Sequence, residues 1–155
     1  MGFGLSNDER VGSTAAFAPA FRIARRAGLV GVPHGGELLG PSSVREVVAS
    51  LAPARLGHGV RTSEDPALLR AVIDEGIALE VCPTSNVHLG VYTDFSQVPL
   101  PTLISAGARI ALAADDPLLF RSRLVAQYEV ARDVFGLSDE ALADLAQSSI
   151  HASLA

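Results

Sequence analysis

The chain has 155 residues, 48% of them apolar, a formal net charge of −5 and a single cysteine. An acidic chain with dispersed charge is unlike a nucleic-acid or membrane-surface binder, and one cysteine excludes an internal disulfide framework and a Cys-rich zinc site. No apolar run approaches the roughly 18 residues of a membrane span, and Met1-Gly2-Phe3-Gly4-Leu5 lacks the basic segment and apolar core of a signal peptide; the expectation is one domain over residues 1–155, in a cytoplasmic protein.

Residues 2–5 are a short apolar piece before the polar turn Ser6-Asn7-Asp8-Glu9. Phe17, Phe21 and Ile23 are spaced for one helical face within 15–27. Pro19 marks the start of the regular helix and Gly28 its end. Residues 29–32 have strand length and stop at Pro33-His34-Gly35-Gly36-Glu37. Residues 41–51 form the next helix, with Val44, Val47, Val48 and Leu51 on one side, and 55–58 a very short strand. Asp65-Pro66 reads as an N-cap followed by the first helical position. Residues 77–82 are a strand closed by Pro83-Thr84-Ser85-Asn86; a loop over 87–98 leads to a helix over 100–106 and a last strand over 110–114. One long helix is expected over 118–135, and Ser138 caps a final helix from 139 to about 150. Strands and helices alternate and the strands are apolar, which predicts an α/β fold with a parallel sheet and outer helices.

The polar groups fall in a pattern. His34, His58, Cys82-Pro83 and Asp115-Asp116 each stand where a strand ends and a loop begins. In parallel α/β proteins those ends form one face, where active sites are built. Asp115 and Asp116 close the apolar run 110–114. Adjacent strand residues point to opposite faces, so one aspartate looks into the sheet and the other away; the alternative is that one simply caps the next helix. Imidazole and carboxylate are zinc ligands, which makes His34 and Asp115 candidates, although a catalytic zinc usually takes at least three protein ligands. For either residue alone, the alternative is a strand-end polar group satisfied by backbone. Glu37 follows two glycines and leans over the mouth, where a raised pKa suits an acid; its alternative is a solvated loop glutamate. His58, between Gly57 and Gly59, has the chemistry of a general base, or of a packed, hydrogen-bonded histidine. Cys82 reads as a buried small hydrophobe. His88 and His151 read as surface or structural, and Arg61, Arg121 and Arg123 as solvated charges.

Four segments, His34-Gly35-Gly36-Glu37, Arg55-Leu56-Gly57-His58-Gly59, Leu79-Glu80-Val81-Cys82-Pro83-Thr84-Ser85-Asn86 and Ala114-Asp115-Asp116-Pro117, stand in the order and spacing of the adenosine deaminase family. The chain resembles that family of zinc-dependent (β/α)8-barrel amidohydrolases over essentially its whole length, and Gly2 to Glu9 resembles the family's fourth-strand segment. The resemblance implies a partial TIM-type barrel, roughly its C-terminal half. It implies one zinc ion per complete site, with His34 and Asp115 as ligands. It further implies Glu37 as the acid that protonates the purine N1 and His58 as the residue that orients or deprotonates the attacking water. Asp116 is implied as a hydrogen-bonding partner of the substrate near N7. The implied reaction is hydrolytic deamination of an aminopurine nucleoside, adenosine and water giving inosine and ammonia. Adenine and 6-aminodeoxyfutalosine are alternative substrates.

The chain departs from the family pattern at two points. It has no His-x-His pair, which in the family supplies two further zinc ligands from the first strand, and Asn7 stands where family members commonly have a substrate-contacting glycine. About five strand segments are countable, whereas a closed barrel of this type has eight. Two readings of a different class therefore stand beside the enzyme: a catalytically inactive truncated chain that binds a partner or ligand, and an unrelated α/β module in which His34, His58 and Asp115 are structural.

Overall fold

In the computed structural model of the chain, residues 1–6 and 8–153 are described. Five strands, β1 (Gly2–Leu5), β2 (Val30–Gly35), β3 (Arg55–His58), β4 (Ala78–Val81) and β5 (Ile110–Leu112), pair in chain order. Every pairing is parallel. The connections carry helices α1 (Ala18–Arg26), α2 (Pro41–Leu51), α3 (Pro66–Asp74), α4 (Pro83–His88) and α5 (Leu100–Ser105). Helices α6 (Leu124–Asp133) and α7 (Asp139–Ser153) follow β5. This is the alternating α/β architecture that the sequence predicts.

Side chains alternate across each strand, and the two sheet faces differ in size. Leu56, Leu79, Val81, Ile110 and Leu112 are buried with Val44, Val47 and Leu51 of α2 and Leu68 and Val72 of α3 in the main core. The opposite face is small: Ala78 and Ala111 form a separate cluster with Ala152 of α7. Arg55 and Glu80, on adjacent strands, pair there at 3.2 Å. Small residues on that face leave room above it for polar side chains from the strand ends.

Several boundaries differ from the sequence expectation, each for a local reason. Strand β2 continues through Pro33 to Gly35; Pro33 lies opposite Leu5, the last residue of β1, so its missing N–H falls where that ladder ends. Ile23 is 68% exposed while Phe21 is buried, because two positions on a helix are about 200° apart. Pro83 to Asn86 begin a helix rather than a simple turn. The expected helix over 118–135 exists only as α6 from Leu124. Asp116 Oδ1 accepts from the N–H groups of Leu118 (2.9 Å) and Leu119 (2.8 Å), which starts a turn, but Arg121 has a φ of 50° and the turn cannot propagate into a helix. The Asp65 cap on α3 forms as expected, its carboxylate accepting from Ala67 and Leu68 N–H. The Ser138 hydroxyl likewise accepts from Ala141 N–H at 3.2 Å, one turn into α7. Among the described residues no helix is long and apolar enough to cross a membrane.

Candidate active site

Every strand in a parallel sheet presents its C-terminal end on one side, and here the ends of β2 to β5 converge. A cavity of about 340 Å3 is lined by His34, His58, Cys82 and Asp115, together with Gly57 and Glu80. His34 is the penultimate residue of β2, and its ring lies over β3, where Gly57 is its register partner. A Cβ on Gly57 would overlap the imidazole, so glycine at that position makes the space His34 fills. The His34 and His58 rings meet edge to face with centroids 4.8 Å apart.

Strict alternation would send His58 to the helix side with Leu56. Its φ of 62° breaks the alternation, and the side chain lines the cavity instead. Asp115 does the same after β5 with a φ of 58°. Left-handed backbone is uncommon outside glycine, although His and Asp tolerate it better than most, and such residues cluster at functional sites. Asp115 Oδ2 lies 3.9 Å from His58 Nε2 and accepts from the Ser85 hydroxyl at 2.5 Å. Asn86, the next residue in α4, is buried, with its Nδ2 3.4 Å from His58 Nδ1. One turn of helix thus orients both groups.

Glu37 is buried, 6% exposed, which removes the reading of a solvated loop glutamate. Its Oε1 lies 3.4 Å from His58 Nε2 yet has no hydrogen-bond partner among the described residues. Burial raises its pKa to about 7, with further contributions from the negative charges of Asp115, Glu9 and Asp8. Burial, and then the neighbouring His34, push the His58 pKa well below the ordinary imidazole value, so its neutral form is favoured. Burial also pushes the Cys82 thiol up, aided by Asp115 and Glu80. A buried, protonated thiol is a packing residue rather than a nucleophile, in line with the sequence reading.

Donor atoms of His34, Glu37 and His58 lie within 4.8 Å of one another, close enough to share a cation. Two imidazoles beside the carboxylates of Glu37 and Asp115 are donor chemistry that zinc accepts, and the unpartnered Glu37 oxygen fits a site built for more than these side chains alone. The structure therefore gathers His34, Glu37, His58 and Asp115. Asp116 is exposed and turned toward the following segment, where it caps the turn at Leu118 and Leu119; this matches the capping alternative. Asn7 lies outside the described residues.

The sequence reading missed several residues. Ser85 and Asn86 stand in the motif that runs from Leu79 to Asn86 but carry no spacing signal of their own. Arg61, expected as a solvated charge, donates from Nη1 to Leu38 O at 3.1 Å while paired with Glu64 at 2.7 Å. Gln127 in α6 is fully buried. It accepts the Thr84 N–H at 3.1 Å and donates to the Thr84 hydroxyl at 2.8 Å and to Ser122 at 2.6 Å, which ties α6 to the first turn of α4.

A second cavity of about 320 Å3 adjoins the first through His34 and is lined by Leu5, Ser6, Asp8, Glu9 and Phe17.

A parallel α/β sheet with histidines and carboxylates at its strand ends defines a hydrolase-type site of the barrel class. The family description "Adenosine deaminase" matches residues 1–155, and the chain belongs to that family. A relative from Streptomyces virginiae, called "Putative adenosine/adenine deaminase", is 57% identical over 155 residues, which is all of this chain and 46% of the relative. The crystal structure of adenine deaminase from Arthrobacter aurescens superposes with a TM-score of 0.94 at 31% identity, covering 99% of this chain and 47% of that one. An amidohydrolase from Burkholderia ambifaria, solved with bound Zn, superposes with a TM-score of 0.87 at 25% identity, covering 96% of this chain and 42% of the other. The chain spans about half the length of these proteins. Its five strands are part of a TIM-type barrel, as the sequence resemblance implies. Membership of the family overturns the reading of an unrelated α/β module.

Proposed function

We propose that this chain carries the acid, the water-orienting histidine and part of the metal-ligand set of an aminopurine deaminase. The reading rests on one observation: His34, His58 and Asp115 line one cavity at the C-terminal strand ends, with the buried Glu37 carboxyl 3.4 Å from His58 Nε2 and grouped with both histidines. His34 and Asp115 are the assigned zinc ligands, Asp115 being held in place by the Ser85 hydroxyl. Zinc bound there supplies Lewis acidity and lowers the pKa of a coordinated water.

The remaining work belongs to the protein. Burial favours the protonated form of Glu37 near neutral pH, and a neutral carboxyl donates its proton to a ring nitrogen of the substrate as negative charge develops there. His58, neutral and held through Nδ1 by Asn86, orients the attacking water at its Nε2 side. Water adds to the purine carbon that bears the amino group, the carbon–nitrogen bond breaks, and ammonia leaves as the oxo-purine forms. Asp116 contacts the substrate from the rim, its Oδ1 being already used to order the turn that follows. Two ligands fall short of the three or more of a catalytic zinc, so the working site includes ligands beyond His34 and Asp115. The names of the relatives, adenosine/adenine deaminase and adenine deaminase, point to the base and its nucleoside as substrates.

The test is a chimera in which these 155 residues replace the matching stretch of the Streptomyces virginiae relative. Loaded with zinc, it should release ammonia from adenine or adenosine. A folded, zinc-loaded chimera that releases ammonia from neither would contradict the proposal. The same assay on the 155-residue chain alone shows whether that piece is inactive by itself.

A further inference from the structure

We propose that Glu9, in the turn that follows the adjacent strand β1, is the positioning residue for Glu37, holding the loop that carries the acid; this rests on the deaminase reading above. Glu37 sits in the connection between β2 and α2, outside any regular ladder. Its backbone needs an anchor if the carboxyl is to be held within about 0.5 Å of a working position. Glu9 supplies it. Oε2 accepts the Gly36 N–H at 2.9 Å and the Ser43 hydroxyl at 3.0 Å. Oε1 accepts the Glu37 N–H at 2.9 Å and also the Leu39 N–H.

The geometry is that of an anion in a concave run of backbone N–H groups. Gly36 opens the run with a φ of 70°, and a Cβ there would collide with Val44 of α2. Both carboxylate oxygens are used, each by two donors, and the donors lie before, at and after Glu37. From the other side, Arg61 donates to the Leu38 carbonyl. The acid loop is therefore pinned at its N–H groups by Glu9 and at a carbonyl by Arg61.

A role in general packing would be met by any polar group of this size. The donor count asks for more. Glutamine matches glutamate in shape but offers one acceptor oxygen, and its NH2 would face N–H donors. Glu9 also lines the second cavity, which adjoins the metal-ligand cavity through His34.

The test has two arms. In the 155-residue chain, amide exchange at Gly36, Glu37 and Leu39 should be slow and should accelerate roughly 10-fold or more in Glu9→Gln, with Leu79 in β4 unchanged. Glu9→Asp, which keeps both acceptor oxygens, should retain part of the protection. Unchanged exchange in Glu9→Gln overturns the proposal, as does acceleration spread evenly over the whole chain. In the zinc-loaded chimera, Glu9→Gln should lower kcat roughly 10- to 100-fold with KM nearly constant. It should add almost nothing in a Glu37→Gln background. An equal loss in both backgrounds would show that Glu9 acts elsewhere. A chimera without turnover counts against the deaminase reading alone, because the exchange arm still decides whether Glu9 pins the loop.

Discussion

The Ser85 hydroxyl donates to Asp115 Oδ2 at 2.5 Å, joining the first turn of α4 to the residues after β5 across 30 positions of sequence. Hydrogen-bond partners of this kind fix a ligand's orientation and typically contribute 10- to 100-fold in metal affinity. Ser85→Ala should therefore weaken zinc binding to the chain by about that factor, and Asp115→Ala by more. Competition with a chromophoric chelator measures both. Equal affinity in wild type and Ser85→Ala would remove Ser85 from the site.

Gly57 and His34 make a steric prediction. A methyl group at Gly57 would occupy the place of the His34 ring, and overpacking of this kind costs about 1–3 kcal/mol. Gly57→Ala should lower the melting temperature and weaken metal binding together. The double variant Gly57→Ala with His34→Ala should recover stability, since the ring that clashes is gone. Thermal melts of the four proteins form the cycle.

Glu37 gives stability a pH dependence of definite sign. Its folded pKa is raised from 4.5 to about 7, so the folded chain holds that proton more tightly than the unfolded chain. The contribution is fully present below pH 4.5 and lost as pH rises to about 7. Its size is about 3 kcal/mol. Metal-free wild type should lose stability over that window relative to Glu37→Gln, whose side chain does not titrate. Parallel pH curves for the two proteins would show that Glu37 is not strained by ionisation.

Asp116 separates a cap from a substrate contact. Asp116→Ala removes the acceptor for Leu118 and Leu119 N–H and should cost about 1 kcal/mol of stability. In the active chimera it should also raise KM. A stability loss with unchanged kcat and KM would leave Asp116 as a cap only.

Much of this site is legible in the sequence because parallel strands put their polar terminations on one side. His34, His58 and Asp115 each close an apolar run, which brings them to one end of the sheet; the left-handed backbone at His58 and Asp115, which the sequence does not announce, turns them into the cavity. Glu37 is legible for a related reason: two glycines let its loop fold back over the mouth. What sequence reading misses are the residues that hold these groups. Glu9 sits in a polar turn with no periodicity, and its partners lie 27 or more residues away. Gln127 looks like a surface position of α6 until Thr84 and Ser122 close around it. The overlong helix at 118–135 fails on Arg121, whose left-handed backbone no propensity announces. The departure of Ile23 from the buried face is a phase error, visible once Phe21 and Ala24 are seen to define that face.

The central claim is that Glu37 is the proton donor at a zinc site. The most direct measurement is ammonia release from adenine and adenosine by the chimera, wild type against Glu37→Gln, with zinc content determined on the same samples. Loss of a general acid costs about 10²- to 10⁴-fold in rate. Glu37→Gln should keep its zinc and lose turnover by that factor. A Glu37→Gln protein with full zinc and wild-type turnover would contradict the account.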